Sequence, residues 1–267
     1  MKRLVIKLGT GVLSRAGGRS LDASQFRRIA SEVADLQSQG FACVLVSSAA
    51  IAAGVRVLGL DKRPDDLPGK QACAAAGQPE LMRLYAASLR GHHLNVAQLL
   101  LTHGDIDSRL RRENARVTLD RLLEAKTVIP IINENDSVAV EELRFGDNDR
   151  LSAEVAILAG AVRLLILTSV DGLQNSDGDR VPIVRNLKEV AGFVRADKGI
   201  ESVGGMKTKL DAVRLALAAR IPVHILDGRK PRQMASALVG EDVGTHFPLP
   251  RTTSLKGMKS EPPLGRA

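Results

Sequence analysis

Residues 202–209 read Ser-Val-Gly-Gly-Met-Lys-Thr-Lys, and a long helical pattern follows. Glycines ahead of a helix expose backbone N–H groups that can hold an anion, and the helix dipole adds favourable potential. Lys207 and Lys209 bring charge to that nest. A second lysine–glycine signal lies near the N-terminus, where an apolar run at 4–6 ends in Lys7-Leu8-Gly9-Thr10-Gly11. Two phosphate cradles at opposite ends of one chain suggest a phosphoryl donor and its acceptor held together. A glycine pair before a helix is weak evidence alone, because tight turns use the same residues. Neither a Walker A spacing nor a protein-kinase His-Arg-Asp set occurs, so phosphotransfer here implies some other fold class.

Lys7 ends a buried run, where its ammonium could address a phosphoryl group or reach out past the sheet edge. The Leu-Gly-Thr-Gly continuation favours the first. Ser47 and Ser48 precede an alanine-rich helical stretch; their hydroxyls could receive a carboxylate or only cap the helix. The densest polar clusters are Asn133-Glu134-Asn135-Asp136 and Gly146-Asp147-Asn148-Asp149. They could take a substrate ammonium, or hold catalytic lysines through charge-assisted hydrogen bonds. Turn chemistry could explain part of one cluster; two of them at sheet ends favour a site. EF-hand spacing is absent, and the five histidines lack metal-binding helix spacing.

Such residues need a scaffold. Apolar runs at 4–7, 42–46, 95–101, 127–132, 163–167 and 223–226 read as strands, and i, i+3, i+4 faces at 26–36, 108–125, 150–160 and 206–219 as helices. The alternation predicts an α/β fold, a three-layer αβα sandwich with a mainly parallel central sheet. Ligands of such sheets bind outside the carboxyl ends of the strands, where the polar motifs fall. Segments 137–140 and 142–145 alternate like a hairpin, and 171–185 reads as a loop with a short edge strand around 181–184. One domain is expected over 1–250, with a substrate-side lobe to about 165 and a nucleotide-side lobe beyond, then a flexible tail at 251–267.

A chain of 267 residues, 44% hydrophobic and 25% charged, can bury a full core. No apolar run approaches the roughly 18–20 residues of a membrane span, and the N-terminal run is too short for a signal sequence. Cys43 and Cys73 read as buried inert thiols, so the expected location is cytoplasmic. The net charge is +8, but there are only five Phe, one Tyr and no Trp, too few for a base-stacking platform. An acidic small molecule therefore suits the charge better than nucleic acid.

Taken in order, the motifs resemble those of the amino acid kinase family. They are Lys7-Leu8-Gly9-Thr10-Gly11, the segment Ser48 to Gly54, Lys70-Gln71 with Gly77-Gln78, Leu101-Thr102, Asn114-Ala115-Arg116, Ile131 to Asp136, Gly146 to Asp149, Leu167-Thr168 with Gly172-Leu173, and Gly204-Gly205-Met206 with Thr208-Lys209. The likeness runs from about residue 3 to 247, closest to members acting on free glutamate.

The resemblance implies transfer of the ATP γ-phosphoryl group to the side-chain carboxylate of L-glutamate, with Mg2+ bridging the phosphates, as the first step of proline biosynthesis. It implies catalytic roles for Lys7, Lys209 and Asp149, and glutamate binding by Ser48, Asp136 and Asn148. Nucleotide contacts would come from Lys7, Gly9, Thr10, Thr168, Ser169, Val203, Gly204, Gly205, Met206, Lys207, Thr208 and Lys209. Feedback inhibition by proline and a homodimer or homotetramer are implied too, in a short form without the C-terminal PUA domain. Departures from the pattern are Ala49 in place of Gly, Ser169 in place of Asp, Ser202-Val203 in place of Gly-Thr, and Lys207 in place of a small polar residue. The rival readings are another acid kinase of the family, such as an N-acetylglutamate or aspartate kinase, and a non-catalytic protein binding ATP or an amino acid.

Overall fold

The computed structural model describes residues 1–15, 20–139, 148–193 and 205–250. The apolar runs fold as β1 (Lys2–Leu8), β2 (Phe41–Ser47), β3 (Asn95–Leu101), β4 (Val128–Glu134), β5 (Arg163–Thr168) and β6 (Val223–Asp227), joined by a short β7 (Thr245–Phe247). They form one sheet in the order β3-β4-β2-β1-β5-β6-β7. All neighbours are parallel except β6 and β7. The chain leaves β1 toward β2 on one side and comes back to it as β5 on the other, which opens the crevice that ligands use in such sheets.

The helical faces fold as α1 (Thr10–Leu13), α2 (Ala23–Ser38), α3 (Ala50–Val57), α4 (Leu67–Arg90), α5 (His103–Asp107), α6 (Arg109–Glu124), α7 (Asn148–Leu158), α8 (Leu187–Val190), α9 (Met206–Ala218) and α10 (Gln233–Val239). Alternation along the strands splits the core into two layers. On one face Leu4, Ile6 and Leu8 of β1 pack with Phe26 and Val33 of α2, Tyr85 of α4 and Met234 of α10. On the other, Val5 packs with Leu119 of α6, Val155 of α7 and Val213 of α9. Lys7 shares the Val5 side, so the same alternation that builds the core delivers its ammonium toward α7 and α9.

The helices α3 and α4 lie almost backbone to backbone. A Cβ at Gly54 would overlap the Cys73 carbonyl, and one at Gly77 the Ala50 carbonyl. This contact fixes the start of α3, and therefore Ser48, against the middle of α4.

One expectation changes. Around 181–184 only Ile183 makes an isolated parallel bridge, to His246; the antiparallel edge of the sheet is β7. Pro182 has no N–H to donate, and its carbonyl accepts from His246 N, so pairing cannot extend past that bridge. The hairpin expected at 137–145 and the tail at 251–267 lie largely or wholly outside the described residues.

Candidate active site

The carboxyl ends of β1, β2, β4, β5 and β6 bring the sequence motifs together. Lys7 in β1, Asp149 in the first turn of α7 and Lys209 in α9 converge there, and all three are buried. Lys7 Nζ lies 2.6 Å from Asp149 Oδ1, and Lys209 Nζ lies 3.2 Å from Oδ2. Thr208 Oγ1 donates to the same Oδ2 at 2.8 Å, turning from the Gly205 carbonyl that it also meets at 3.0 Å. Burial would push the Asp149 carboxyl up, but the two lysine charges outweigh it and hold it at about 2. One carboxylate between two ammonium groups leaves a net positive charge in a buried setting, and that arrangement calls for an anion.

A second group gathers one residue away. Asn148 Nδ2 donates to Ser48 Oγ and to Asn133 Oδ1, each at 3.2 Å. Asn133 is 1% exposed, and its Nδ2 donates to Gln78 Oε1 at 2.9 Å. Ser48 is seated by its N–H on the Leu8 carbonyl, tying the end of β2 to the end of β1. Its neighbour Ser47 is fully buried, 2.8 Å from the Tyr85 hydroxyl. Asp136 sits in the turn after β4, half-buried, with Asn135 N held by the Leu101 carbonyl. Arg63, on the loop between α3 and α4, feels the Asp136 charge.

Ala49, the N-cap of α3, has φ +83°, a left-handed conformation that glycine adopts freely and alanine only with strain. The departure noted in the sequence is thus accommodated by strain rather than by a different turn.

On the far side of β1, Gly9 N donates to the Leu167 carbonyl and Gly228 N to the Thr168 carbonyl, so these loops are stitched across β1, β5 and β6. Thr10 opens α1, and exposed Ser169 lies against Gly11. Gly205 caps α9, with Met206 in its first turn and Lys207 exposed beside it. Val203 and Gly204 lie outside the described residues.

Sequence reasoning chose Lys7, Asp149, Lys209, Ser48 and Asn148, and the structure brings all five to the carboxyl end of the sheet. It assigned no role to Gln78, whose place depends on the packing of α3 on α4. It also passed over Arg229 and Lys230, which follow β6. Arg229 Nε donates to the Gly11 carbonyl at 2.8 Å, and Lys230 pairs with Asp171 at 2.8 Å. Two basic residues in a loop carry no local signal of this kind.

The fold and sequence belong to a known class of protein. The amino acid kinase family model matches residues 2–227, and the chain belongs to that family. Its fold is shared with a UMP kinase from Bacillus anthracis (TM-score 0.59, 17% identity, 92% of this chain and 96% of that one). An N-acetylglutamate synthase from Neisseria gonorrhoeae is also similar in fold (TM-score 0.65, 16% identity, 92% and 61%).

Within the family the chain sits with the glutamate 5-kinases. It is 48% identical over 251 residues to the Thermus thermophilus glutamate 5-kinase, covering 92% of this chain and 67% of that protein. Identity to the glutamate 5-kinase of a Geobacter species is 44% over 269 residues, covering 97% and 70%.

Proposed function

We infer that the protein is a glutamate 5-kinase: it moves the γ-phosphoryl group of ATP onto the side-chain carboxylate of L-glutamate in proline biosynthesis. The observation that carries this reading is the buried Lys7–Asp149–Lys209 triad at the strand ends. In the transfer the bond from phosphorus to the β,γ-bridging oxygen breaks, a bond to a carboxylate oxygen forms, and ADP leaves. Protein chemistry is limited to positioning and charge neutralisation.

Lys7 and Lys209 converge from β1 and α9, so their ammonium groups can stabilise the equatorial oxygens as charge develops on them. Asp149 accepts both lysines and Thr208, and so holds the two cations in place without neutralising them. Lys7, Gly9, Thr10, Thr168, Ser169 and residues 203–209 make the nucleotide side. Ser48, Asp136 and Asn148 make the substrate side, with Asp136 as a partner for the substrate ammonium.

Both Asp149 oxygens are occupied by cations or hydroxyl, and the described residues contain no cluster of three or more His, Cys, Asp or Glu. These residues fit a Mg2+ held by the ATP phosphates, where it would withdraw charge from them. No helix among the described residues is long and apolar enough to cross a membrane. The two cysteines are free and buried, in keeping with a reducing cytoplasm.

ATP-dependent acyl hydroxamate formation, with hydroxylamine as the trap, tests the reading across L-glutamate, N-acetyl-L-glutamate and L-aspartate. Product from free glutamate alone, abolished in Lys209→Ala, is expected. Product from another acid would keep the mechanism and change the substrate. Added proline in the same assay reads feedback inhibition, and sedimentation reads the dimer or tetramer.

A further inference from the structure

The buried amides beside the triad form a directional chain. Glu134 N donates to Asn133 Oδ1 at 2.9 Å, and a backbone N–H can only donate. That bond fixes which end of the Asn133 amide is oxygen. The Asn133 nitrogen must then face Gln78 Oε1, which turns the Gln78 nitrogen to Gln98 Oε1 at 2.8 Å. On the other side, Asn133 Oδ1 can accept only from the nitrogen of Asn148. Asn148 Oδ1 is thereby left as a buried acceptor with no hydrogen-bond partner among the described residues. The Asn148 nitrogen also fills an acceptor position of Ser48 Oγ, so the serine hydrogen remains available to donate.

We propose that Gln78, which lies outside the predicted substrate-binding set, is a positioning residue for the acceptor substrate. By accepting from the Asn133 nitrogen it anchors the amide whose oxygen, oriented by Glu134 N, holds the Asn148 nitrogen, so that the site presents one acceptor for an ammonium and one hydroxyl donor for a carboxylate. This rests on the glutamate kinase reading and names what that site selects: an acid carrying a free amine. The placement of Gln78 depends in turn on Gly77, where α4 meets the Ala50 carbonyl so closely that no side chain fits. Without Gln78 the Asn133 nitrogen loses its acceptor, and its side chain loses the anchor that keeps it, and through it Asn148, in place. A buried amide nitrogen without an acceptor is costly enough to draw the Asn133 side chain toward another partner.

Steady-state kinetics of the whole protein test the proposal in Gln78→Met, which removes the acceptor at similar volume, and in Gln78→Glu. A glutamate side chain still accepts from Asn133, while Gln98 is exposed and can turn its nitrogen toward the new carboxylate. In Gln78→Met the KM for glutamate rises on the order of tenfold, with kcat and the KM for ATP within about twofold. Gln78→Glu restores most of the glutamate affinity. If the Met variant does not accumulate folded, Gln78→Asn, one methylene too short to reach, is expected to show the same split.

An unchanged glutamate KM overturns the proposal. So does a parallel loss of glutamate KM, ATP KM and kcat, which marks a packing defect, and so does a Glu variant as impaired as Met. Absence of glutamate turnover in the unsubstituted protein overturns the assigned function and the relay together. Turnover that is insensitive to Gln78→Met overturns the relay alone.

Discussion

On one side of the first turn of α7, Asp149 holds two ammonium groups and a hydroxyl in a buried, fully charged cluster. On the other, Asn148 enters a chain of neutral amides running through Asn133 to Gln78 and Gln98. The two residues are adjacent in sequence, and the site changes character between them. Charge is non-directional and suits a phosphoryl group that is anionic throughout its transfer. Amide hydrogen bonds have direction and distinguish donors from acceptors, which suits an acceptor carrying both an ammonium and a carboxylate. On the proposed function the charged half would supply rate and the amide half choice.

Removing the centre of the charged half is the most damaging way to break this division. Asp149→Asn leaves two buried ammonium groups facing each other, and loss of one partner of a buried pair destabilises by roughly 3–5 kcal/mol. Turnover falls on the order of 100-fold or more as the lysines lose their seat, whereas the KM for glutamate changes far less. Denaturant unfolding and kinetics on the same sample check both expectations. A variant that kept its rate but lost glutamate affinity would reverse the assignment of the halves.

Acid separates the halves next. The Asp149 carboxyl is held at about 2 when folded, against 3.8 for an unperturbed aspartate. A depressed folded value gives stability that is present above about 3.8 and is lost as the pH falls through about 2. The linked stability is about 2 kcal/mol. A denaturant midpoint that falls between pH 4 and 2, with a smaller fall in Asp149→Asn, is the expected result. The amides of the other half do not titrate in that range.

A separate titrating pair lies further along the same helix. His103 Nδ1 lies 2.8 Å from Glu154 Oε2, and Arg150 Nε donates to Oε1 at 2.8 Å. The hydrogen bond that His103 donates to Glu154 raises its pKa, partly opposed by burial. A raised folded value gives stability that is complete below about 6.5 and is lost as the pH rises through the folded value. His103→Asn is therefore expected to lower the unfolding midpoint more at pH 6 than at pH 9. An equal loss at both would show that the ion pair contributes nothing beyond packing.

How legible these halves were in the sequence follows from how local their causes are. The strand runs fixed Lys7, because period-2 alternation with Val5 dictates its face. The first turn of α7 was marked by Asn148-Asp149, and Lys209 by the glycine-led helix. Gln78 was visible only as part of a motif, since its role depends on two helices meeting at Gly54 and Gly77, a contact between segments with no shared periodicity. The strand β7 was missed because three residues are too few to show alternation. Its partner segment at 181–184 was over-read, because Pro182 interrupts the ladder that its apolar neighbours suggest.

The smallest effect is expected where the amide half begins. Ala49 holds a left-handed backbone at φ +83° so that Ser48 can meet Asn148 while α3 starts beneath it. Left-handed geometry costs a non-glycine residue about 1–2 kcal/mol. Replacement by glycine relieves this strain, but it also frees the unfolded chain, which offsets about 0.4–1 kcal/mol. Ala49→Gly should therefore stabilise by about 0.5 kcal/mol, seen as a small rise in thermal midpoint. The charged half does not depend on this turn, so kcat and the KM for ATP should be unaffected, and any kinetic change should fall on glutamate. A fall in thermal midpoint would mean that the Ala49 methyl, buried in the core beside Ala52, contributes more through packing than its backbone loses through strain. The start of the amide half would then be held by burial, as the lysines are, rather than by hydrogen bonds alone.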